Sequence, residues 1–281
     1  MIDEKTIWDE VWPVVENLIE ATLAEDAATM RTLLTPDGQA VAMLDLFDVY
    51  VYDILLKTVL GREQLGVSRA VETDNGRFIH IEYAWPEPGS DQNSFTANDV
   101  VTVSLTQVEA RWLIDGVNPS TIDLPLTGAR ARGLIATGQS LSEDGKVPGE
   151  SWILPFALYG GLLKMKLRPE ALADAVEELL IPGMQERSYG AMALVNGRTL
   201  WRNFKTANKP TLDKPAAWAA AVEFIMSELE LRTLTQAAVA KNHQIPLSTM
   251  VPRMKQIKKV LNIQKNDERY GDLHSTQIVY E

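Results

Sequence analysis

The sequence predicts an α+β N-terminal domain followed by an all-α C-terminal domain, on three observations. Apolar residues recur at helical spacing over residues 6–60, at a spacing of two over 67–119, and at helical spacing again from Trp152. At 281 residues the chain is long for a single hydrophobic core. Charge also divides it. Residues 1–125 hold 22 Asp and Glu against 7 Lys and Arg, a balance of −15, while residues 126–281 hold 16 against 20, a balance of +4. That asymmetry suggests two modules with different partners.

In the first helix, over 6–24, Val11, Val15, Leu18 and Ile19 share a face, and Pro13 marks a start or a kink. A second helix covers 25–35 and stops at Pro36-Asp37-Gly38. A third, over 39–60, carries Leu44, Phe47, Val51, Ile54, Leu55 and Val59 and ends at Gly61. The period then changes. Asp74-Asn75-Gly76 between residues 67–73 and 77–85 is a hairpin signal, because Asn and Gly take positive φ cheaply. Ile79, Ile81, Tyr83 and Trp85 alternate with His80 and Glu82, and Val101, Val103 and Leu105 alternate with Thr102, Ser104 and Thr106. The closing strand is Arg111 through Pro119.

This order, and the closing run Trp112-Leu-Ile-Asp-Gly-Val-Asn-Pro119, resembles the nuclear-transport-factor-2-like (SnoaL-like) family over about residues 5–122. The resemblance implies helices folded on a curved antiparallel sheet, forming a cone with a pocket. Domain 1–122 would then bind a small ligand in the cone or form a homodimer through its sheet. Some members of that family are enzymes that use Asp, His or Tyr in the pocket. Here Asp48, Tyr50, Tyr52 and Asp53 cluster on the third helix, and Asp48 and Tyr52 are i, i+4 neighbours. His80, beside Glu82 on the polar side of its strand, reads as a surface residue, and Asp115 as a strand-end residue. No catalytic residue is assigned, and an enzyme is the less favoured reading.

Residues 123–150 are rich in Gly, Pro and Ser with weak periodicity, and read as a linker or extended arm. The all-α domain covers 151–265 and a tail 266–281. One helix starts at Arg168-Pro169, with acids in its first turns, and stops at Pro182-Gly183. Others fit 184–205, 214–230, 235–243 and 248–262.

Residues 232–265 carry seven formal charges, all basic: Arg232, Lys241, Arg253, Lys255, Lys258, Lys259 and Lys265. Met250, Met254, Ile257 and Leu261 recur within about 60° of one another on a helix, a buried stripe. Lys255 and Lys259 lie nearly opposite, beside Pro252 and Gln256, and Ser248 is a candidate cap. Packing on one side with cations and polar groups on the other suits nucleic-acid recognition. The candidate binding residues are Ser248, Thr249, Arg253, Lys255, Gln256, Lys258 and Lys259.

Residues 235–254 resemble a helix-turn-helix, with Thr235 as first cap, Ala240 at the small position, Ile245 after the turn and Met250 in the core. With the Ala-rich run Lys214 to Met226, the segment also resembles the end of a cyclin-like repeat of the transcription factor IIB type. The resemblance implies DNA as partner and a DNA-associated regulator as function. Two residues depart from the pattern. Gln244 occupies the turn position usually filled by Gly, and Pro252 is tolerable only within a first turn capped by Ser248. The alternative is a non-enzymatic module whose helices bind another protein and whose lysines are merely solvated.

Other chemistry is thin. There is no cysteine, and His80, His243 and His274 are scattered, so neither disulfides nor a metal site nor any cofactor is expected. Tyr159-Gly160-Gly161 lacks the spacing of a phosphate loop. Trp8, Trp12, Trp85, Trp112, Trp152, Trp201 and Trp218 read as core anchors. No run approaches 18 apolar residues, and the acidic start lacks a signal-peptide layout, so a cytoplasmic protein without membrane contact is expected.

Overall fold

The computed structural model describes residues 4–56, 60, 65–72, 78–84, 100–119, 165–265, 267 and 269–271, with side chains on most of them. The chain falls into two compact units, Met1–Pro155 and Phe156–Glu281. The expected linker 123–150, the helical start at Trp152 and His274 lie outside the described residues, as do the side chains of Trp85 and His80.

In the first unit a short helical lead-in, with a π-helical turn at Ile7–Val11, runs into α1 (Trp12–Leu23). Pro13 sits in the first turn of α1, directly after that π-helical turn, and lacks the N–H that would otherwise bond back into it. Helix α2 (Ala27–Leu33) is capped by Asp26, whose carboxylate accepts from the Ala28 and Thr29 amides. The expected third helix is two: α3 (Gln39–Phe47) and α4 (Tyr50–Leu55). They separate at Asp48, which takes φ 62° and accepts the Val49 amide on its own side chain. With ψ at −168° this lies in a region that residues other than Gly seldom enter, and periodicity does not register such a break.

Four strands follow: β1 (Leu65–Glu72), β2 (Phe78–Ala84), β3 (Val100–Val108) and β4 (Arg111–Pro119), an antiparallel meander in chain order. The register shifts between Val67 and Arg69 and between Ser104 and Leu105. Val101, Val103, Leu105 and Ile114 are fully buried.

The expectation of a SnoaL-like cone is overturned. Among the described residues the protein is mostly helical, with one small sheet. Helices α1, α3 and α4 pack on the last strand, β4, and on neighbouring helices. The segment after α2 docks on the same strand: Leu34 bridges Ile114, and the Thr35 amide donates to the Ile114 carbonyl at 2.8 Å. A period of two reports which residues alternate across a strand. It does not report whether the sheet curves into a cone or how much helix surrounds it.

In the second unit Asp174 caps α5 (Ala175–Glu186), so Pro169–Ala171 forms only a separate 3₁₀ turn. Helix α5 also runs through Pro182-Gly183, expected as its end. Then come α6 (Ala191–Asn208), α7 (Pro215–Leu229), α8 (Gln236–Asn242) and α9 (Leu247–Leu261). Helix α7 is the hub, packing on α5, α6, α8 and α9. Its Ala-rich sequence is apolar nearly all round, as a central helix must be, and Ala217, Ala219, Ala220 and Ala221 are wholly buried. Gly197 of α6 lets that helix close on α5 and α7, since a Cβ there would lie 3.2 Å from the Met184 sulfur. Trp201, Phe204 and Trp218 cluster with centroids 5.3–5.9 Å apart. Trp12 is buried too, whereas Trp8 is 45% exposed and is no core anchor. Part of the expected tail is core: Tyr270 is buried, and its hydroxyl accepts from Asn203 at 3.0 Å. Among the described residues no helix is long and apolar enough to cross a membrane.

Candidate nucleic-acid interface

Helices α8 and α9 meet at a turn built as the sequence requires. Thr235 caps α8, its hydroxyl accepting the Ala238 amide at 3.2 Å. Val239 and Ala240 are buried. Gln244 takes φ 53°, the conformation for which Gly is usual, and the Ile245 amide returns to the Ala240 carbonyl at 3.0 Å. The turn is therefore made with a residue that bears strain where Gly would bear none.

Ser248 is not the cap of α9. Pro246 takes that place, and Pro252 is the sixth helical residue rather than one of the first turn. Proline has no N–H, so the Ser248 carbonyl lacks its i+4 donor inside a helix that nevertheless continues to Leu261.

On α9, Met250 and Ile257 are fully buried and Met254 nearly so, while Leu261 at the end is half-buried. The candidate residues divide around this stripe. Ser248, Lys255, Gln256 and Lys259 are exposed, together with Pro252; Thr249 is half-buried, with its carbonyl accepting from Arg253 at 3.1 Å. The side chains of Lys255 and Lys259 make no hydrogen bond or ion pair among the described residues. Arg253 and Lys258, on either flank of the stripe, are turned to the protein itself. The Arg253 guanidinium lies 5.0 Å from the Trp218 ring centroid and 3.5 Å from the Asp213 carboxylate. Lys258 donates to Glu228 of α7 at 2.6 Å. Lys241 and Lys265 are exposed as well.

Behind the turn lies a buried ionic cluster that sequence reasoning missed. Glu223 of α7 is fully buried, and the Arg187 guanidinium forks onto it, with Nε donating to Oε1 at 2.6 Å. His243, the residue closing α8, places Nε2 2.6 Å from the other carboxylate oxygen. Burial pushes the Glu223 carboxyl up, but the bonds from His243 and Arg187, with the Arg187 charge, outweigh it and hold the group below the ordinary carboxylate range. Arg232 lies 3.9 Å over the Tyr189 ring and donates to the Arg187 and Ser188 carbonyls. A signal was present. Glu223 is the one charge in the run Pro215 to Met226, which is otherwise apolar, so a buried, paired acid was the physical expectation.

A second cluster joins α5 to α6. Arg202 forks onto the fully buried Glu177, and Arg198 approaches it at 3.4 Å. Asp174 caps α5 while accepting from Trp201 and Lys205. Burial raises the Asp174 carboxyl, and the Lys205, Glu177 amide and Trp201 bonds bring it below its usual range. Each acid here already has basic partners, and no group of three or more metal-ligating side chains occurs among the described residues.

The expected cluster on the third helix of the first unit does not assemble. Tyr52 is buried with its hydroxyl on the Ala40 carbonyl at 2.7 Å, while Tyr50 is 54% exposed and Asp53 also faces solvent. Asp48 serves the break between helices, and Asp115 accepts from the Thr35 hydroxyl at 3.0 Å.

No family model matches the chain, and no solved structure matches it. The uncharacterized protein YccF of Bacillus subtilis (strain 168) is 32% identical over 91 residues, covering 32% of this chain. The chain spans 24% of that protein's length.

Proposed function

We propose that the second unit binds double-stranded DNA through the outer face of α9, and that the protein is a DNA-associated regulator. The observation that carries the reading is that Lys255 and Lys259 are exposed and uncommitted, whereas Glu177, Glu223 and Asp174 all have basic partners. Ser248 and Gln256 stand beside these lysines with hydrogen-bonding groups for base edges or phosphates. No acidic residue occurs anywhere in 232–265 to repel a phosphate backbone. The buried Met250, Met254 and Ile257 seat the helix so that this face is presented on a fixed support.

The test is fluorescence anisotropy of a short labelled duplex titrated with the full chain across a salt series. Binding that weakens steeply with salt, and is lost in the double variant Lys255→Glu/Lys259→Glu, is the expected result. Equal retention by wild type and variant at low salt rejects the reading.

A further inference from the structure

We propose that Glu228 is an internal competitor for phosphate that restrains Lys258, and so sets how many DNA backbone charges α9 can contact. The proposal rests on the DNA reading above. Lys258 Nζ lies 2.6 Å from Glu228 Oε2, and the two side chains are 34% and 45% exposed. Glu228 is the one partner of the Lys258 ammonium among the described residues, so loss of that carboxylate lets the ammonium exchange it for a duplex phosphate.

The position of Lys258 makes that exchange useful. At 100° per residue it lies about 60° from Lys255 and about 100° from Lys259 around α9. Freed from Glu228, it extends the two uncommitted lysines into an edge of three cations. While it is paired, Glu228 also places a negative charge beside the face that DNA must approach.

Arg253 supplies the contrast. It lies about 160° from Lys255, on the other flank of the buried stripe. Asp213 is 3.5 Å away, but the guanidinium is also stacked 5.0 Å from the Trp218 centroid and donates to the Thr249 carbonyl at 3.1 Å. Its side chain is only 17% exposed. Removing Asp213 leaves two holds in place, so Arg253 stays on the protein. The two carboxylates carry equal charge and differ in consequence.

The experiment compares the full-length wild type with Glu228→Gln, Asp213→Asn and Glu228→Gln/Lys258→Gln, using a short fluorescent duplex over a salt series. Glu228→Gln is expected to tighten binding several-fold at low salt and to steepen the slope of log affinity against log salt by about 1. Asp213→Asn removes the same charge and leaves the slope at its wild-type value. Glu228→Gln/Lys258→Gln returns the slope to that value. Equal slopes for Glu228→Gln and Asp213→Asn, or a wild-type slope for Glu228→Gln, overturn the proposal while leaving DNA binding intact. Binding by Glu228→Gln alone, with none by wild type, supports it. If neither wild type nor Glu228→Gln retains the duplex at low salt, the DNA reading falls and takes this inference with it.

Discussion

The two units satisfy their buried polar groups in different ways. In the first, the buried polar side chains among the described residues are answered mainly by backbone carbonyls: Thr22 donates to Leu18, Tyr52 to Ala40, and Thr35 reaches Ile114 and Asp115 on β4. In the second, whole charges go inside. Glu223 and Glu177 are fully buried, and each is met by two basic partners. A neutral side chain on a carbonyl contributes modestly and shifts little with pH. A buried carboxylate holds its place only while its partners and its ionisation persist. The second unit thus joins its helices by charge, and the cations left over on α9 are free for another use.

The largest effect should come from breaking that internal pairing. Glu223→Ala leaves Arg187 and His243 facing an emptied site, and a loss of about 3–5 kcal/mol is expected. In the first unit, Thr22→Val should cost only about 1 kcal/mol. Hydrogen exchange of peptides from α7 and α1 reads the two separately, and equal losses would remove the contrast. Next, Ile257→Ala should destabilise the second unit by about 3 kcal/mol, because it opens a cavity beneath α9. Loss of protection in α8 and α9 together is the expected pattern.

Acid should separate the units further. Glu223 and Asp174 are both held below the carboxylate range, so the stability they contribute is complete above the unfolded value of about 4 and is lost as pH falls through their lower folded values. In the first unit Asp53 runs the other way: burial and the Glu25 charge raise it, so its ionisation costs stability as pH rises. Exposed Asp26 is lowered by its bonds to Thr29. Exchange protection below about pH 4 should therefore fail first in the second unit, and Glu223→Gln should flatten that loss. Failure of the first unit before the second would contradict this assignment.

Smaller effects test α9 itself. Pro252→Ala restores a donor for the Ser248 carbonyl and should stabilise the second unit by about 1 kcal/mol or more. Lys255→Gln/Lys259→Gln should change stability by less than about 0.5 kcal/mol, since neither lysine has a partner within the described protein. A large loss there would mean that the lysines belong to the fold.

What could be read from the residues followed periodicity. The stripe of Met250, Met254 and Ile257 was legible because a helix repeats every 3.6 residues, and its burial follows. The same rule placed Lys255 and Lys259 outside. Periodicity is silent on which flank cations meet an acid from another helix, so the commitments of Arg253 to Asp213 and Lys258 to Glu228 were hidden by separations of 40 and 30 residues. It also misjudged local chemistry. Asp48 breaks a stretch that reads as one helix, while Pro182 fails to end another and Pro252 sits beyond the first turn expected to hold it. The strands were visible as alternation, but the cone was not theirs to predict: what surrounds a sheet depends on contacts between elements far apart in the chain.

The most direct test of the account is acylation of lysines on the full chain, with and without duplex DNA at low salt, read by mass spectrometry. Protection of Lys255 and Lys259 on adding DNA, with Lys205 unchanged in its pairing with Asp174, is the predicted result. Unaltered labelling of Lys255 and Lys259 under conditions where DNA is bound would contradict it.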